Sequence, residues 1–177
     1  ARLYNESRTA GKFPASWRRT HIVLLPKKGD LHSLANWRPI ALSDCDIKIL
    51  TRVLTHRMQR AANECIHPNQ AGFMQGRSIF DNIHTVQLAI EYSVIRPEEA
   101  AGILLLLDQQ KAYDRVNRNY LYKSLSLCGI GPRFIRWLQL MYSSTEASIR
   151  IGPVLSEWFP VGKGLRQGDP LSQMLYN

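Results

Sequence analysis

The stretch Ile103-Leu104-Leu105-Leu106-Leu107-Asp108-Gln109-Gln110-Lys111-Ala112-Tyr113-Asp114 decides the reading of this chain. Its first five residues are aliphatic and leave no face for water. Such a run reads as a central strand covered on both sides rather than an alternating, half-exposed one. Asp108 then falls where the strand ends. A carboxylate there can hold a divalent cation, because Mg²⁺ usually takes one or two carboxylates and completes its shell with water and phosphate oxygens. An Asp after a strand also serves as a helix N-cap or turn residue, and locally that is the commoner role. Asp114, just before Arg115-Val116-Asn117, fits the capping role better than Asp108 does.

Composition narrows the partner. Lys and Arg number 23 against 14 Asp and Glu, giving a net charge of +9 and a pI near 9.8. That excess favours an anionic partner, nucleic acid first, since phosphate backbones attract basic surfaces whatever their sequence. The 45% hydrophobic content over 177 residues is enough for a core, so this is not a disordered tail. Cys45, Cys65 and Cys128 are odd in number and far apart, which argues against a zinc module and a disulfide framework. His21, His32, His56, His67 and His84 are scattered as well. No apolar run is long enough to span a bilayer, so no membrane partner is expected. The start Ala1-Arg2-Leu3 has neither an initiator Met nor a signal-peptide profile, and the chain reads as an internal piece of a longer protein.

Outward from the decisive stretch, Ile22-Val23-Leu24-Leu25 predicts a strand halted by Pro26. Lys27-Lys28-Gly29-Asp30 is a basic turn, and Trp37-Arg38-Pro39-Ile40-Ala41-Leu42 a second strand, together a basic hairpin. From Asp46 the period changes. Ile47, Leu50, Val53, Leu54, Met58, Ala61 and Cys65 form a helical stripe, with Arg52, Arg57 and Arg60 on the outer face. Ile79, Ile83, Val86, Ile90 and Val94 form another, capped by Ser78 or Asp81. Leu121, Leu125 and Leu127 suggest a short helix, and Phe134, Ile135, Trp137, Leu138 and Met141 the next. A hairpin pattern flanks Gly152-Pro153. Strands and helices in this order suggest α+β rather than regular βαβ alternation.

Four separated segments then match one family. They are Leu25-Pro26-Lys27-Lys28-Gly29-Asp30 with Asn36-Trp37-Arg38-Pro39-Ile40; Gln70-Ala71-Gly72-Phe73 with Gly76-Arg77-Ser78 and Asp81-Asn82-Ile83; Leu107-Asp108 with Lys111-Ala112-Tyr113-Asp114; and Gly164-Leu165-Arg166-Gln167-Gly168-Asp169-Pro170-Leu171-Ser172. With these segments the chain resembles the reverse transcriptase domain of LINE-type, non-LTR retrotransposons over nearly its whole length. Gln173, where the family usually has Pro, is a small departure.

The resemblance implies an incomplete right-hand polymerase, α+β, with fingers over about 1–100 and the start of the palm, carrying inserted helices and a hairpin, over about 101–177. It implies an RNA-directed DNA polymerase that adds dNTPs to a DNA primer on an RNA template, using two Mg²⁺ ions or Mn²⁺. Asp108 would be the catalytic metal ligand, with the Gln109 carbonyl beside it. Lys27 or Lys28 and Arg38 would neutralise the triphosphate, Arg38 through its forked donors. Tyr113 would lie under the sugar and exclude a 2′-hydroxyl, although locally a packing role is equally natural. Gln167 and Gly168 would lie along the nascent base pair, Gly168 allowing close backbone approach. Arg77, Ser78 and Asn82 would contact template or primer.

The family's second catalytic segment, an aromatic residue, a variable one and two adjacent aspartates, has no match here, because the sequence contains no Asp-Asp pair. The thumb is missing too. The 177-residue chain alone is therefore expected to be inactive and to depend on the rest of a parent polyprotein, with an endonuclease among the implied regions. The family's life cycle implies both cytoplasm and nucleus. Two other readings remain at this point: a decayed element keeping only a basic RNA-binding surface, and a maturase-like relative of group II intron proteins.

Overall fold

The computed structural model describes residues 2–99 and 102–177. Two short helices, α1 (Arg2–Ala10) and α2 (Ala15–Arg18), lead into β1 (Arg19–Pro26), and β2 (Trp37–Leu42) returns antiparallel to it. The register pairs His21 with Leu42 and Pro26 with Trp37. The basic turn between them is pinned from within. The Asp30 carboxylate accepts from the His32 N–H at 2.9 Å, Asn36 donates its side-chain amide to the Asp30 carbonyl at 2.7 Å, and the Trp37 indole donates to the Leu31 carbonyl at 3.0 Å. The expected basic hairpin is thus present.

Helices α3 (Cys45–Cys65), α4 (Ile79–Ile95), α5 (Arg118–Leu127) and α6 (Pro132–Tyr142) follow. After them come β3 (Glu146–Ile151), β4 (Val154–Leu155), β5 (Phe159–Pro160) and α7 (Pro170–Tyr176). The sheet runs β2-β1-β3-β4. β3 lies parallel to β1, and β4 and β5 are both antiparallel to β3. The mixed architecture is the α+β class expected. Among the described residues no helix is long and apolar enough to cross a membrane.

The core lies under the helices. Ile47, Leu50, Leu54, Met58 and Ala62 bury one face of α3, and α7 packs there with Leu171, Met174 and Leu175. Each such Ile, Leu or Met side chain contributes roughly 1.5–3 kcal/mol on burial. Phe13 and Trp17 close the core from the amino-terminal side. Trp17 lies 5.0 Å from Tyr4 and 5.2 Å from Phe13, and Phe13 stacks on Trp137 at 6.0 Å between centroids. Of the predicted α3 stripe, Val53 and Cys65 turn out exposed, while Arg52, Arg57 and Arg60 face solvent as expected.

One expectation is corrected. The run Ile103 to Leu107 forms no strand and is not buried; Ile103 is 96% and Leu107 83% exposed. The physical reason is a missing neighbour. A run apolar on both faces needs a paired strand beside it and cover above and below, and no strand among the described residues pairs with it. Helix α4 forms over the predicted stripe, yet none of its residues is buried, and Val94 is 75% exposed. The apolar period makes the helix; burial requires a surface to pack on, and nothing described covers this face. The expected boundary between fingers and palm falls on residues 100 and 101, outside the described residues.

Candidate functional site

The site begins at the tight turn Tyr113–Arg115, which follows the exposed segment ending at Gln109. Residues 164–169 run across this turn. Leu165 donates its N–H to the Tyr113 carbonyl and Gly164 to that of Val116, both at 2.9 Å. Gly164 has φ +81°, and a β-carbon there would stand 2.9 Å from the Asp114 carbonyl oxygen. Position 164 therefore accepts glycine for two separate reasons. Gly164→Ala is expected to cost about 2–3 kcal/mol, combining the left-handed conformation with the displaced turn, and a shift in the denaturant midpoint measures it. An unchanged midpoint would mean that the two segments are not held this closely.

Farther along, the same segment meets β2. Ala41 donates its N–H to the Gln167 carbonyl at 2.9 Å. Gly168 follows with φ +101°, where an added β-carbon would lie 3.4 Å from the Ala41 carbonyl oxygen. Gln167 and Gly168 are thus laid against the strand that carries Arg38. Two buried charges flank them. Arg166 donates to the Trp17 and Met141 carbonyls at 3.1 and 3.4 Å, and Asp169 caps α7 by accepting from the Leu171 N–H at 3.0 Å.

Burial pushes the Asp169 carboxyl above its ordinary range, opposed by the Leu171 N–H, the Thr51 hydroxyl, Arg166 and Lys48. Burial lowers the Arg166 guanidinium, opposed by Tyr142, Asp169 and Asp44. The buried Tyr142 phenol is pushed up to about 12, by desolvation first and then by Asp169. Arg118 gathers the approach to this segment. Its guanidinium donates to the carbonyls of Gly164 (3.0 Å), Tyr142 (3.0 Å), Val161 (2.9 Å) and Lys163 (3.2 Å), and lies over the Tyr142 ring at 4.8 Å. A cleft of about 350 Å³ opens beside these contacts, lined by Thr20, Ala41, Asp114, Lys163 and Gln167 among others.

Three of the four sequence segments, the β1–β2 hairpin, the 113–116 turn and the 164–169 run, therefore meet. Lys27, Lys28 and Arg38 are exposed, and Arg38 stands opposite Leu25 in the register. Tyr113 is half-buried, its ring 5.1 Å from Tyr176, and burial followed by Tyr176 raises its phenol. Gln109 accepts a hydrogen bond from the Tyr176 hydroxyl. Asp108 is exposed on the extended segment.

The second sequence segment lies in the loop after α3. Arg77 donates to the carbonyls of His67 (2.6 Å), Gln70 (3.0 Å) and Ile66 (3.2 Å), Ser78 caps α4 through the Phe80 N–H, and Asn82 donates to the Asn69 carbonyl. The polar side chains of all three hold local backbone. Asn177 ties this loop to the end of α7, donating to the Gly72 carbonyl at 2.8 Å.

Residues 25–177 match the family model described as reverse transcriptase (RNA-dependent DNA polymerase). The chain belongs to the reverse transcriptase family. It is 39% identical to the transposon TX1 uncharacterized 149 kDa protein of Xenopus laevis over 176 residues, 99% of this chain and 13% of that protein. It is 29% identical to the retrovirus-related Pol polyprotein from type-1 retrotransposable element R2 of Popillia japonica, over 94% of this chain and 23% of that protein. The corresponding polyprotein from type-2 retrotransposable element R2DM of Drosophila melanogaster is 28% identical over 99% of this chain and 16% of its own length. The chain thus spans less than a quarter of the length of these curated relatives. The resemblance to non-LTR retrotransposon reverse transcriptases holds, as part of that domain.

For a reverse transcriptase the metal ligands matter most. Among the described residues no three His, Cys, Asp or Glu side chains gather to hold an ion. Asp108 accepts no hydrogen bond and makes no ion pair among the described residues. One free carboxylate is the hard-oxygen donor that Mg²⁺ takes, and it fits such an ion as a single ligand. Sequence reasoning assigned no role to Arg118, Arg166 or Asp169. Arg118 stands in the first turn of a helix, where a cation opposes the helix dipole, but the sequence alone does not show the carbonyls it holds.

Proposed function

We propose that the chain forms the fingers, over about residues 1–100, and the first part of the palm, over about 101–177, of an RNA-directed DNA polymerase. In the intact parent protein it would extend a DNA primer with dNTPs on an RNA template. The observation that carries this reading is the meeting of β2, the 113–116 turn and residues 164–169, through the Ala41–Gln167 and Tyr113–Leu165 backbone bonds. Phosphoryl transfer asks mainly for alignment and charge neutralisation, which such a junction can provide.

Each residue then has a task. Arg38, on the strand beside Gln167, presents forked donors to the triphosphate, and Lys27 or Lys28 adds a point charge. Gln167 and Gly168 lie along the nascent base pair, Gly168 allowing close backbone approach. Tyr113 fills the space below the sugar. A bound Mg²⁺ or Mn²⁺ would supply charge stabilisation for the departing pyrophosphate, with Asp108 and the Gln109 carbonyl among its ligands. The template-side loop relies on Arg77 for its shape, and Ser78 and Asn82 set the start of α4 against it.

The test is primer extension on an RNA template by the parent reading frame. DNA synthesis is expected, and Arg38→Ala should raise the KM for dNTP about 10-fold or more, the loss of one charge-assisted contact. Salt-sensitive RNA binding without any synthesis would instead support a decayed, binding-only element. An unchanged KM would remove Arg38 from the nucleotide site.

A further inference from the structure

Cysteines that are far apart in the sequence come together in the fold. Cys65 is the last residue of α3 and Cys128 directly follows α5, 63 positions later, yet the Cys65 thiol donates to the Cys128 carbonyl at 3.2 Å. Both residues are exposed, and both line the mouth of a cleft of about 610 Å³ between α3, α5 and α7. The Cys65 thiol is raised by desolvation first and then by Cys128 and Glu64.

The backbone on each side is fixed. Behind Cys128, Ile130 donates to the Leu125 carbonyl at 2.9 Å and Gly129, at φ +77°, to that of Ser126 at 3.1 Å, the paired bonds of a Schellman motif. Behind Cys65, Ile66 donates to the Ala62 carbonyl at 2.9 Å, and Arg77 grips the Ile66 and His67 carbonyls. The thiols are thus held by two rigid helix ends, so little conformational freedom remains to be lost when they join. Cys45 sits at the opposite end of α3, about 30 Å away along the helix, and cannot reach either partner in the folded chain.

We propose that Cys65 and Cys128 form a dithiol modification site, which a small disulfide such as glutathione disulfide converts to an intramolecular disulfide linking α3 to α5. One cysteine thiolate attacks the glutathione disulfide, forming a mixed disulfide and releasing one glutathione thiolate. The second cysteine then attacks the mixed disulfide at the protein sulfur and releases the other. Two protein thiols are oxidised and one glutathione disulfide is reduced to two glutathione thiols. The cross-link ties the α3 wall of the cleft to its α5 wall, and a reducing thiol pool reverses it.

The experiment treats the reduced full chain with glutathione disulfide, quenches with acid and maps the linkages by peptide mass spectrometry, in native buffer and in guanidinium. In the native chain Cys65 joins Cys128 while Cys45 carries glutathione. In the unfolded chain the pair nearer in sequence, Cys45 and Cys65, closes more readily. The 65–128 linkage should be enriched about tenfold or more by folding. Cys128→Ser should leave glutathione on Cys65, whereas Cys45→Ser should leave the 65–128 linkage unchanged. Glutathione on both Cys65 and Cys128 of the native chain, or the same linkages with and without guanidinium, would overturn the proposal.

Discussion

Arg118→Met is expected to lower the stability of the chain by about 3 kcal/mol, because it strips one guanidinium from four backbone carbonyls at once. Those carbonyls belong to Tyr142 at the end of α6 and to the loop of residues 161–164. Methionine fills a similar volume and leaves three of them without a donor, the Val161 carbonyl keeping the Thr145 hydroxyl at 2.9 Å. Arg118→Lys should recover only a minor part, since an ammonium cannot spread its donors across the same fork. The Tyr142 ring beneath the cation would lose a further contact. Urea unfolding of the three proteins, read by tryptophan fluorescence, gives the differences directly. A loss under 1 kcal/mol for the methionine variant would show that water replaces the guanidinium and that Arg118 does not organise this loop.

Much of the secondary structure was legible in the residues, because apolar period and turn chemistry act locally. The α3 stripe identified its buried face from Ile47 to Met58. The Pro26 to Trp37 turn was visible as a charged break between two β-rich runs, and Gly152-Pro153 marked the return from β3. Burial was less legible. Ile103 to Leu107 and the α4 stripe have the composition of a core, yet composition states what a segment needs and not whether a partner surface lies beside it.

The site divides in the same way. Gly164 and Gly168 stand out in the sequence, and each sits at a left-handed position in contact with a neighbouring backbone. Arg38, Gln167 and Tyr113 were brought into one region by pairing that motif order alone does not contain. Arg77 reads as a template contact from its motif, whereas its guanidinium is engaged with carbonyls of the loop after α3. Arg118 and Arg166 act on backbone carbonyls contributed by several elements. No side-chain pattern announces a carbonyl, so such residues become visible only when the fold is known. The Cys65–Cys128 pair was hidden for a related reason: spacing carries no information about two helix ends that meet.

Asp108→Asn separates folding from chemistry most sharply. The side chain is exposed and makes no hydrogen bond or ion pair among the described residues, so its replacement is expected to change stability by less than about 0.5 kcal/mol. In the parent reading frame the same change should reduce primer extension about a thousandfold or more, because an amide oxygen lacks the charge that binds a hard divalent cation. The contrast matters because substitutions outside a functional site usually act by lowering stability. Here the denaturant midpoint is expected to stay in place while synthesis is lost. Lys111→Ala, a neighbouring exposed change outside the assigned site, serves as the comparison and should retain synthesis. If Asp108→Asn lowers stability and activity together, the carboxylate has a folding role, the turn or capping function open to any aspartate after an extended segment. If it changes neither, the metal assignment fails, while the nucleotide contacts of Arg38 would still stand on their own test.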